Sequence, residues 1–517
     1  MSGCEQPYQS MSRADRVALI ISLIGALAAY LIADRILEQI PHLEDEMAYV
    51  WQAQALGRGR LTLPSPPEPK SFLVPFVVDY AGQRFGKYPP GWPAVLAIGE
   101  VLNLRAWVNP LLAGLGIWLV YQIGKKTLGE MVGLLAAGLT VTSPLFLMNA
   151  GMLLSHPLGL ALATGFSLGW LEAFSTPDHP RPWLPTVSSA VCLGGLALTR
   201  PWTAVAVAFP FILHGLYLLV RGNWATRRRL IAFCVLALAI SALVPAWQYA
   251  VTGDFTLNPY TLWWEYDKVG FGPGIGRAEG GHTLEKAWIN TQANLRAGYY
   301  DFLGWGAFMF PFILAGLVAI RRNGRALLVA SIFPSLVIFY MAYWVSIWVT
   351  GPRYFYEGLP GLMLVIAAGA AWLAGWPTRR DSSWLPLRGK KPWRSLAIAA
   401  ALLILAATNL ITYTPERVGE LKGLYGATRA RLAPFETEEA QRLAPALIIV
   451  HPKQWIEYGT LLELSNPFLD SPFIFVISRG VEADQRVASH FPERAIYHYY
   501  PDQPDQFLTQ PRPPDSP

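Results

Sequence analysis

The chain has 517 residues, of which 53% are hydrophobic and 15% are charged, and its mean hydropathy is +0.31. Soluble domains carry about 25% charged residues, so this composition leaves too little polar surface to cover a water-soluble globule. The formal net charge of +6 does not indicate a nucleic-acid partner, because the basic residues are spread between apolar blocks. The composition therefore predicts a polytopic membrane protein.

About eleven apolar blocks approach the roughly 20 residues that a helix needs to cross a bilayer. The first, 17–33, follows Arg13 and Arg16 and is predicted to be a retained anchor rather than a cleaved signal peptide. The segment 94–106 is shorter and contains Glu100 and Arg105, so we expect it to lie in the membrane interface. The remaining blocks are 107–124, 131–148, 152–174, 186–200, 202–220, 230–251, 299–320, 326–349, 354–375 and 395–413.

The distribution of Lys and Arg predicts the orientation in the membrane. Alternate connections, beginning with the N-terminal segment, are rich in Lys and Arg, whereas the short turns on the other side hold only Arg200 and Arg353. Under the positive-inside rule the N-terminus is cytoplasmic. The extracytoplasmic side then carries the long loops 38–106 and 252–298 and the C-terminal region. The protein itself is expected in an inner or plasma membrane.

The transmembrane domain is predicted to cover 1–413 and to be followed by a small soluble α/β domain, 414–500. Helical patterns at 453–462 and 481–490 alternate there with three strand-like runs, Ala446–Val450, Phe473–Ile477 and Ala495–Tyr499. The end of the chain, 501–517, is rich in Pro and Asp and is predicted to be disordered. Cys4, Cys192 and Cys234 have no disulfide or metal-site spacing.

The first outer loop is the most informative stretch for function. Glu44, Asp45 and Glu46 follow the first helix directly, with Tyr49 three residues further on. Acids in this position either stabilise a helix N-terminus, where the dipole favours them, or take part in chemistry. The loop continues with a glycine-to-proline step at 59–64 and with the run Lys87-Tyr88-Pro89-Pro90.

In order and spacing these elements resemble the GT-C glycosyltransferases, in particular the bacterial relatives of protein O-mannosyltransferases and of the lipid A aminoarabinose transferase. The resemblance covers about the first 375 residues, with further matching elements at 125–129, 142–144, 198–201, 352–354 and Pro360. It implies a GT-C-like helical fold. It also implies transfer of a hexose or pentose from a polyprenyl-phosphate donor to an extracytoplasmic acceptor in cell-envelope glycan biosynthesis.

Sugar transfer from a lipid phosphate needs a base for the acceptor hydroxyl and positive groups for the phosphate that leaves. We expect Asp45 to be the base, with a pKa raised by its acidic neighbours and by low dielectric, and Glu46 to position the acceptor or donor. Lys87, Arg200 and Arg353, each expected at the outer interface, would bind the donor phosphate. Snorkelling to the interface is the alternative role for the two arginines.

Six further residues are candidates for contacts with the sugar or acceptor: Tyr49, His156, Trp264, Glu265, His282 and Glu357. His156 stands where relatives often carry an acid. The second large outer loop combines aromatics and acids, which suit sugar rings, with glycines that suggest a mobile flap. No cofactor is predicted and no residues have metal-ligand spacing, although His282 and several carboxylates on the same face leave a divalent metal open.

The leading hypothesis is thus a membrane glycosyltransferase, inverting by resemblance. Its partners would be a polyprenyl-phosphate sugar and a lipid, glycan or protein acceptor. The alternative is a transporter or lipid flippase without covalent chemistry. Carriers usually hold ionisable residues near the membrane midplane, whereas the apolar blocks here are nearly free of charge. A scaffold, in which Asp45 would be dispensable, is a third possibility.

Overall fold

The computed structural model describes residues 11–176, 181–347, 349–378 and 392–513, and most of them are helical. Cys4 and the basic cluster from Arg379 to Lys391 lie outside the described residues. The first half of the chain contains helices α1 (Arg13–Arg35), α2 (Glu44–Gly57), α3 (Gly91–Val101), α4 (Arg105–Leu128), α5 (Glu130–Val141), α6 (Pro144–Gly151), α7 (His156–Phe174), α8 (Trp183–Thr199), α9 (Pro201–Arg221), α10 (Trp224–Ser241) and α11 (Leu243–Thr252).

The second half begins with a short helix in the second outer loop and ends with short helices beside a sheet. These helices are α12 (Pro259–Trp263), α13 (Leu284–Asp301), α14 (Met309–Ile320), α15 (Gly324–Ala330), α16 (Ile332–Tyr340), α17 (Leu359–Ala374), α18 (Pro392–Thr408), α19 (Thr414–Gly419), α20 (Ala433–Glu436), α21 (Glu438–Gln441), α22 (Trp455–Gly459) and α23 (Val481–Ser489). A 3₁₀ turn, Arg353–Gly358, leads into α17.

Within the described residues, six helices are long and apolar enough to cross a membrane, or eight if two bent pairs each count as one span. The chain is thus a multi-pass membrane protein, and the number of eleven spans stays a prediction. The block 131–148 is not one straight helix, because α5 and α6 meet at 61°. Pro144 begins α6 and Ser143 caps it, accepting a hydrogen bond from the Phe146 amide. Similarly, α13 and the segment containing α14 are bent by 85°.

Helix α17 lies at the centre of the bundle and is buried along nearly its whole length. It packs against α14, where Gly316 and Gly369 bring the two backbones into contact. A Cβ atom added to Gly369 would lie 2.7 Å from the Gly316 nitrogen and still closer to the Phe312 carbonyl oxygen. Small residues at crossing points are the usual means of close helix packing in membranes.

Those predicted inner connections that the structure describes meet at one end of the bundle. Lys125 Nζ lies 2.6 Å from Asp15 Oδ1 at the start of α1. Asn323 Nδ2 donates to the Thr127 carbonyl at 2.9 Å, and Arg229 Nη1 donates to the Ala173 carbonyl at 2.8 Å. These contacts place the connections on a common side, as the charge pattern predicts.

The first outer loop and the C-terminal region share the opposite end. Arg58 Nη1 lies 2.6 Å from Asp470 Oδ2, and Arg105 pairs with Glu463. The loop folds into a small antiparallel sheet in the order β1-β3-β2, formed by β1 (Leu63–Pro64), β2 (Val77–Tyr80) and β3 (Gln83–Gly86). Lys87 follows β3 directly, so the sheet fixes its position.

The C-terminal region contains a four-stranded sheet in the order β5-β4-β6-β7. Its three parallel strands, β4 (Ala446–Val450), β5 (Phe473–Ile477) and β6 (Ala495–Tyr499), have the predicted bounds, and α22 and α23 lie within the predicted helical segments. The division into domains stays a prediction. Disorder from 501 onward is wrong for the residues described, because β7 (Phe507–Leu508) pairs with β6. Phe507 packs on Phe435 and Tyr499. The free energy gained by burying this ring stabilises an ordered conformation in a segment that is rich in proline.

Candidate functional site

A cavity of about 670 Å³ lies at the end of the bundle that carries the outer loops and the C-terminal region. Its wall is rich in Tyr and Trp side chains from both outer loops and from the segment 340–354. The charged side chains in the wall come from distant parts of the sequence and are Glu44, Asp45, Lys87, Arg200, Asp267, Arg277 and Arg353. The fold therefore brings together Asp45 and all three cations selected for the donor phosphate.

Asp45 lies in the first turn of α2 between a phenol and a guanidinium. Its Oδ1 accepts a hydrogen bond from the Tyr88 hydroxyl at 2.5 Å, and its Oδ2 lies 3.4 Å from both Nη1 and Nη2 of Arg353. Burial alone would raise the pKa of Asp45, but Arg353, Tyr88 and Lys87 together hold it below its ordinary value. The expected raised pKa is wrong, because these partners outweigh burial and the adjacent acids.

Glu46 faces away from the cavity and is only 1% exposed. Its Oε2 accepts from the amides of His42 and Leu43 at 2.8 and 2.9 Å, and its Oε1 accepts from the amide of Leu153 at 2.6 Å. The carboxylate thus caps α2 and joins it to the turn before α7. Glu44 and Glu46 are two positions apart on α2, so their side chains point to nearly opposite sides of the helix, and it is Glu44 that lines the cavity beside Asp45.

Lys87 is buried in an aromatic box and pairs with an acid from the second outer loop. Its Nζ lies 3.1 Å from Asp267 Oδ2, and the two side chains are 4% and 2% exposed. The ammonium also lies 3.8 Å from the ring centre of Phe76 and 5.0 Å from that of Trp264. Burial lowers the pKa of Lys87, although Asp267 and Asp45 act to raise it.

Arg200 connects α8 and α9 and reaches toward the 3₁₀ turn before α17. Its Nε lies 3.0 Å from Glu357 Oε1, its Nη1 donates to Ser155 Oγ at 3.1 Å, and its Nη2 donates to the Tyr340 hydroxyl at 3.3 Å. Glu357 is fully buried and does not line the cavity, and its carboxylate contacts Arg200 and lies 3.6 Å from His156 Nδ1. Each of the three cations therefore faces one carboxylate.

The remaining candidates divide between the wall and the surrounding structure. Tyr49, His156 and Trp264 line the cavity, and the Tyr49 ring packs on Tyr88 with centroids 4.5 Å apart. His156 Nε2 lies 3.4 Å from Arg200 Nη1. Two other candidates are not part of the wall. Glu265 is exposed, and His282 stacks on Phe271 with its Nε2 at 2.9 Å from the Met341 carbonyl.

The glycine-rich part of the second outer loop, 270–282, is held by backbone hydrogen bonds. The Gly276 amide donates to the Tyr266 carbonyl at 2.9 Å, and the Gly272 amide donates to the His282 carbonyl at 2.8 Å. This folding presents Arg277 to the cavity, with its guanidinium 4.5 Å from the ring centre of Trp264. Arg277 is not among the residues predicted from the sequence, where its one signal is a basic side chain among the glycines of the second outer loop.

Among the residues that the structure describes, no group of three or more His, Cys, Asp or Glu side chains is arranged to hold a metal ion. The cavity instead offers cations, hydroxyls and aromatic faces. Such a set can bind an anionic headgroup, stack on a sugar ring and place a carboxylate beside both.

The chain thus forms a multi-pass bundle with a polar cavity among its outer loops, and its similarity to solved structures identifies the fold as GT-C. No protein-family model matches the sequence, and no curated protein does so. The fold is similar to that of ArnT from Cupriavidus metallidurans, solved bound to undecaprenyl phosphate, with 16% identity and a TM-score of 0.59 over 93% of this chain and 89% of ArnT.

The archaeal oligosaccharyltransferase AglB from Archaeoglobus fulgidus, solved with an inhibitory peptide and a dolichol-phosphate, is also similar. It has 12% identity and a TM-score of 0.51, over 87% of this chain and 64% of AglB. Both proteins are GT-C glycosyltransferases. The predicted resemblance to GT-C proteins is therefore confirmed for the fold. Similarity at sequence identities this low shows the fold alone.

Proposed function

We propose that the protein is a membrane glycosyltransferase that moves a sugar from a polyprenyl-phosphate donor to an extracytoplasmic acceptor. One observation carries the proposal: Asp45 lines the same cavity as Lys87, Arg200 and Arg353, although the four lie in separate segments of the chain. Cavities that bind small molecules measure about 300–1,000 Å³, so about 670 Å³ gives room for a phosphate and a sugar ring.

The proposed orientation puts the N-terminus in the cytoplasm and the cavity on the outer side. Asp15 and Lys125 mark the bundle end where the basic connections meet, and Asp45 lies beyond the opposite end of α1. The positive-inside rule makes the basic end cytoplasmic. A lipid phosphate in the outer leaflet would then lie at the depth of the three cations.

Electrostatics supports a role for the cations in both binding and chemistry. A sugar phosphodiester carries one negative charge, and the phosphate monoester that leaves carries about 1.5 to 2. Lys87, Arg200 and Arg353 therefore stabilise the leaving group more than the bound donor, which is the condition for lowering an activation barrier. The phosphate would replace carboxylates as the partner of these cations.

In the proposed step an acceptor hydroxyl oxygen attacks C1 of the sugar from the side opposite the phosphate. The bond between C1 and the phosphate oxygen breaks, its electron pair stays on the phosphate, and the acceptor proton passes to Asp45. A single displacement of this kind inverts the configuration at C1. Because the pKa of Asp45 is lowered, its carboxylate is ionised at neutral pH. A phosphate that draws Arg353 away would make this carboxylate a stronger base.

In this proposal Glu46 has a structural role and Asp45 has the catalytic role. Glu46 satisfies three backbone amides and thereby fixes the start of α2, while Arg353 and Tyr88 fix the Asp45 side chain itself. Tyr49, His156 and Trp264 complete the wall as contacts for the donor or acceptor.

Binding of undecaprenyl phosphate to the full chain in nanodiscs tests the phosphate site. We expect Lys87→Met to weaken binding by about 10- to 100-fold, since a hydrogen bond to a charged group contributes about 1.5–3 kcal/mol. The matched control is Lys70→Met in the same outer loop, where the lysine is exposed and outside the cavity wall. Equal affinity in wild type and Lys87→Met would remove the lysine from the phosphate site.

Incubation with a panel of undecaprenyl-phosphate-linked sugars then separates an enzyme from a carrier. A glycosyltransferase releases free undecaprenyl phosphate when an acceptor mixture is supplied, because the bond to C1 is broken. A lipid flippase leaves the donor intact and only moves it between leaflets. Mass spectrometry of the recovered lipid distinguishes the two, and an intact donor with every sugar would refute the proposed function.

A further inference from the structure

Two aromatic side chains of the C-terminal region, Tyr425 and Trp455, form part of the cavity wall. They are 48% and 37% exposed, so neither ring is fully packed against its protein neighbours. Most of the remaining wall comes from the membrane helices and the two large outer loops. The C-terminal region therefore does more than cover this end of the bundle.

The indole of Trp455 packs directly on Gly459. A Cβ atom added to Gly459 would lie 2.5 Å from Cζ3 and 3.0 Å from Cε3 of the indole. Because glycine has no Cβ atom, it leaves space for the ring at this position. The indole is thus supported on one side while its exposed part lines the cavity.

Tyr425 adopts a backbone conformation that is unfavourable for its residue type. Its φ is +56° and its ψ is +11°, and Gly423 and Gly426 beside it also have positive φ. A residue other than glycine in the left-handed region costs roughly 1–2 kcal/mol, and such strain is concentrated at functional sites. Burial raises the pKa of the phenol and Glu44 raises it further, and both residues line the cavity.

The two rings are fixed relative to Asp45. Ile456, next to Trp455, and Ala427, near Tyr425, form one apolar cluster with Met47 of α2. Met47 lies two residues after Asp45 on the same helix. A ligand that contacts both rings therefore has a defined position with respect to the proposed base.

We infer that Tyr425, Trp455 and Glu44 form an acceptor subsite that binds a sugar ring, so that the acceptor is a saccharide. The inference rests on the proposed function, because it names the second substrate of that reaction. Aromatic faces stack on the apolar faces of sugars, and a carboxylate accepts hydrogen bonds from their hydroxyls. Glu44 is available for this role, since it forms no ion pair within the described part of the chain.

The test measures binding to the full chain in nanodiscs by saturation-transfer NMR and by titration. The probes are a panel of hexose, N-acetylhexosamine and pentose oligosaccharides, a panel of Ser/Thr-containing peptides, and undecaprenyl phosphate. We expect at least one oligosaccharide to bind with its ring protons saturated. Tyr425→Gly and Trp455→Leu should each weaken that binding by about tenfold or more and change undecaprenyl phosphate binding by less than about twofold.

The variants are chosen so that misfolding does not mimic the result. Tyr425→Gly removes the ring at a position whose φ suits glycine, so the thermal stability should be kept or raised. Trp455→Leu keeps an apolar side chain on Gly459 but removes the aromatic face. Trp288→Ala is the control, because Trp288 is 55% exposed on α13 and lies outside the cavity wall.

Three outcomes would overturn the inference: no binding of any oligosaccharide (with or without binding of peptides), unchanged saccharide binding in both variants, or an equal loss of undecaprenyl phosphate binding. Failure of the proposed function has a different signature. In that case the wild-type chain does not bind undecaprenyl phosphate or leaves every lipid-linked sugar intact.

Discussion

Replacing Asp45 by Asn changes the charge of the proposed base with almost no change in its size. The Tyr88 hydroxyl can still donate to the side-chain oxygen, so the start of α2 should keep its structure. Arg353, however, loses the negative charge that lies 3.4 Å from its guanidinium. The substitution therefore acts on proton transfer and on phosphate binding at once, in opposite directions.

The two effects can be estimated separately. A general base contributes about 10² to 10⁴ in rate, or roughly 3 to 5 kcal/mol of activation free energy, so kcat should fall by at least about 10². Opposite charges 4 Å apart attract by about 4 kcal/mol at an effective dielectric constant of 20, and much of that is offset by desolvation. Because Arg353 becomes free for the phosphate, the affinity for undecaprenyl phosphate should stay equal or rise by up to about tenfold.

Steady-state transfer and equilibrium binding, measured on the same nanodisc preparations, resolve the two effects. Asp79→Asn is the matched control, since Asp79 also pairs with an arginine, Arg84 at 3.6 Å, in the same outer loop but outside the cavity wall. We expect the control to keep kcat within about threefold of wild type, well short of the loss of a base. A wild-type kcat in Asp45→Asn would refute the role of Asp45 as the base, and a large loss of donor affinity would refute the account of its pairing with Arg353.

Three further predictions concern the start of α2, the second outer loop and the C-terminal sheet. Glu46→Gln should lower stability by about 1–3 kcal/mol in thermal unfolding, because its NH₂ group cannot accept from the backbone amides, while kcat of the folded protein stays near wild type; a large fall in kcat at unchanged stability would contradict the capping role. Gly281→Ala should release the loop 270–282, because the new Cβ would overlap the Gly272 carbonyl at a φ of +78°, and limited proteolysis should then cut this loop faster than in wild type. Burial and a neighbouring imidazole lower the pKa of His451 to about 4. The unfolded chain therefore binds more protons below pH 6.5, so stability should fall by about 1–2 kcal/mol between pH 6.5 and 4 after allowance for partial exposure, and the fall should shrink in His451→Phe.

The parts of the fold that depend on local pattern could be predicted from the sequence. Apolar blocks located most of the long helices, and β-like runs located three strands of the C-terminal sheet with their observed bounds. The bend between α5 and α6 was missed although it has a sequence signal. Ser143-Pro144 inside the block 131–148 favours a helix end followed by a new helix start, because a proline disfavours helical conformation in the residue before it.

The electrostatics of the site could not be predicted in the same way. Asp45 has its charge partner 308 residues away, so its lowered pKa depends on tertiary structure. The sequence also does not show that the Glu44 side chain points to the cavity while that of Glu46 points away from it. This difference depends on where α2 begins. Tyr425 and Trp455 belong to no recognisable motif, and only the folded chain brings them to the cavity.

The one-to-one pairing of Lys87, Arg200 and Arg353 with carboxylates has a consequence for lipid selectivity. An unliganded protein in a bilayer is surrounded by a large excess of bulk phospholipid. To bind one of these cations, a headgroup must separate it from its carboxylate, and that attraction is strong at low dielectric. A zwitterionic headgroup carries its own compensating ammonium, so its net attraction to the cation is too weak to replace the carboxylate. We therefore expect ordinary zwitterionic phospholipids to be excluded from the cavity. Only a headgroup with uncompensated negative charge should enter it.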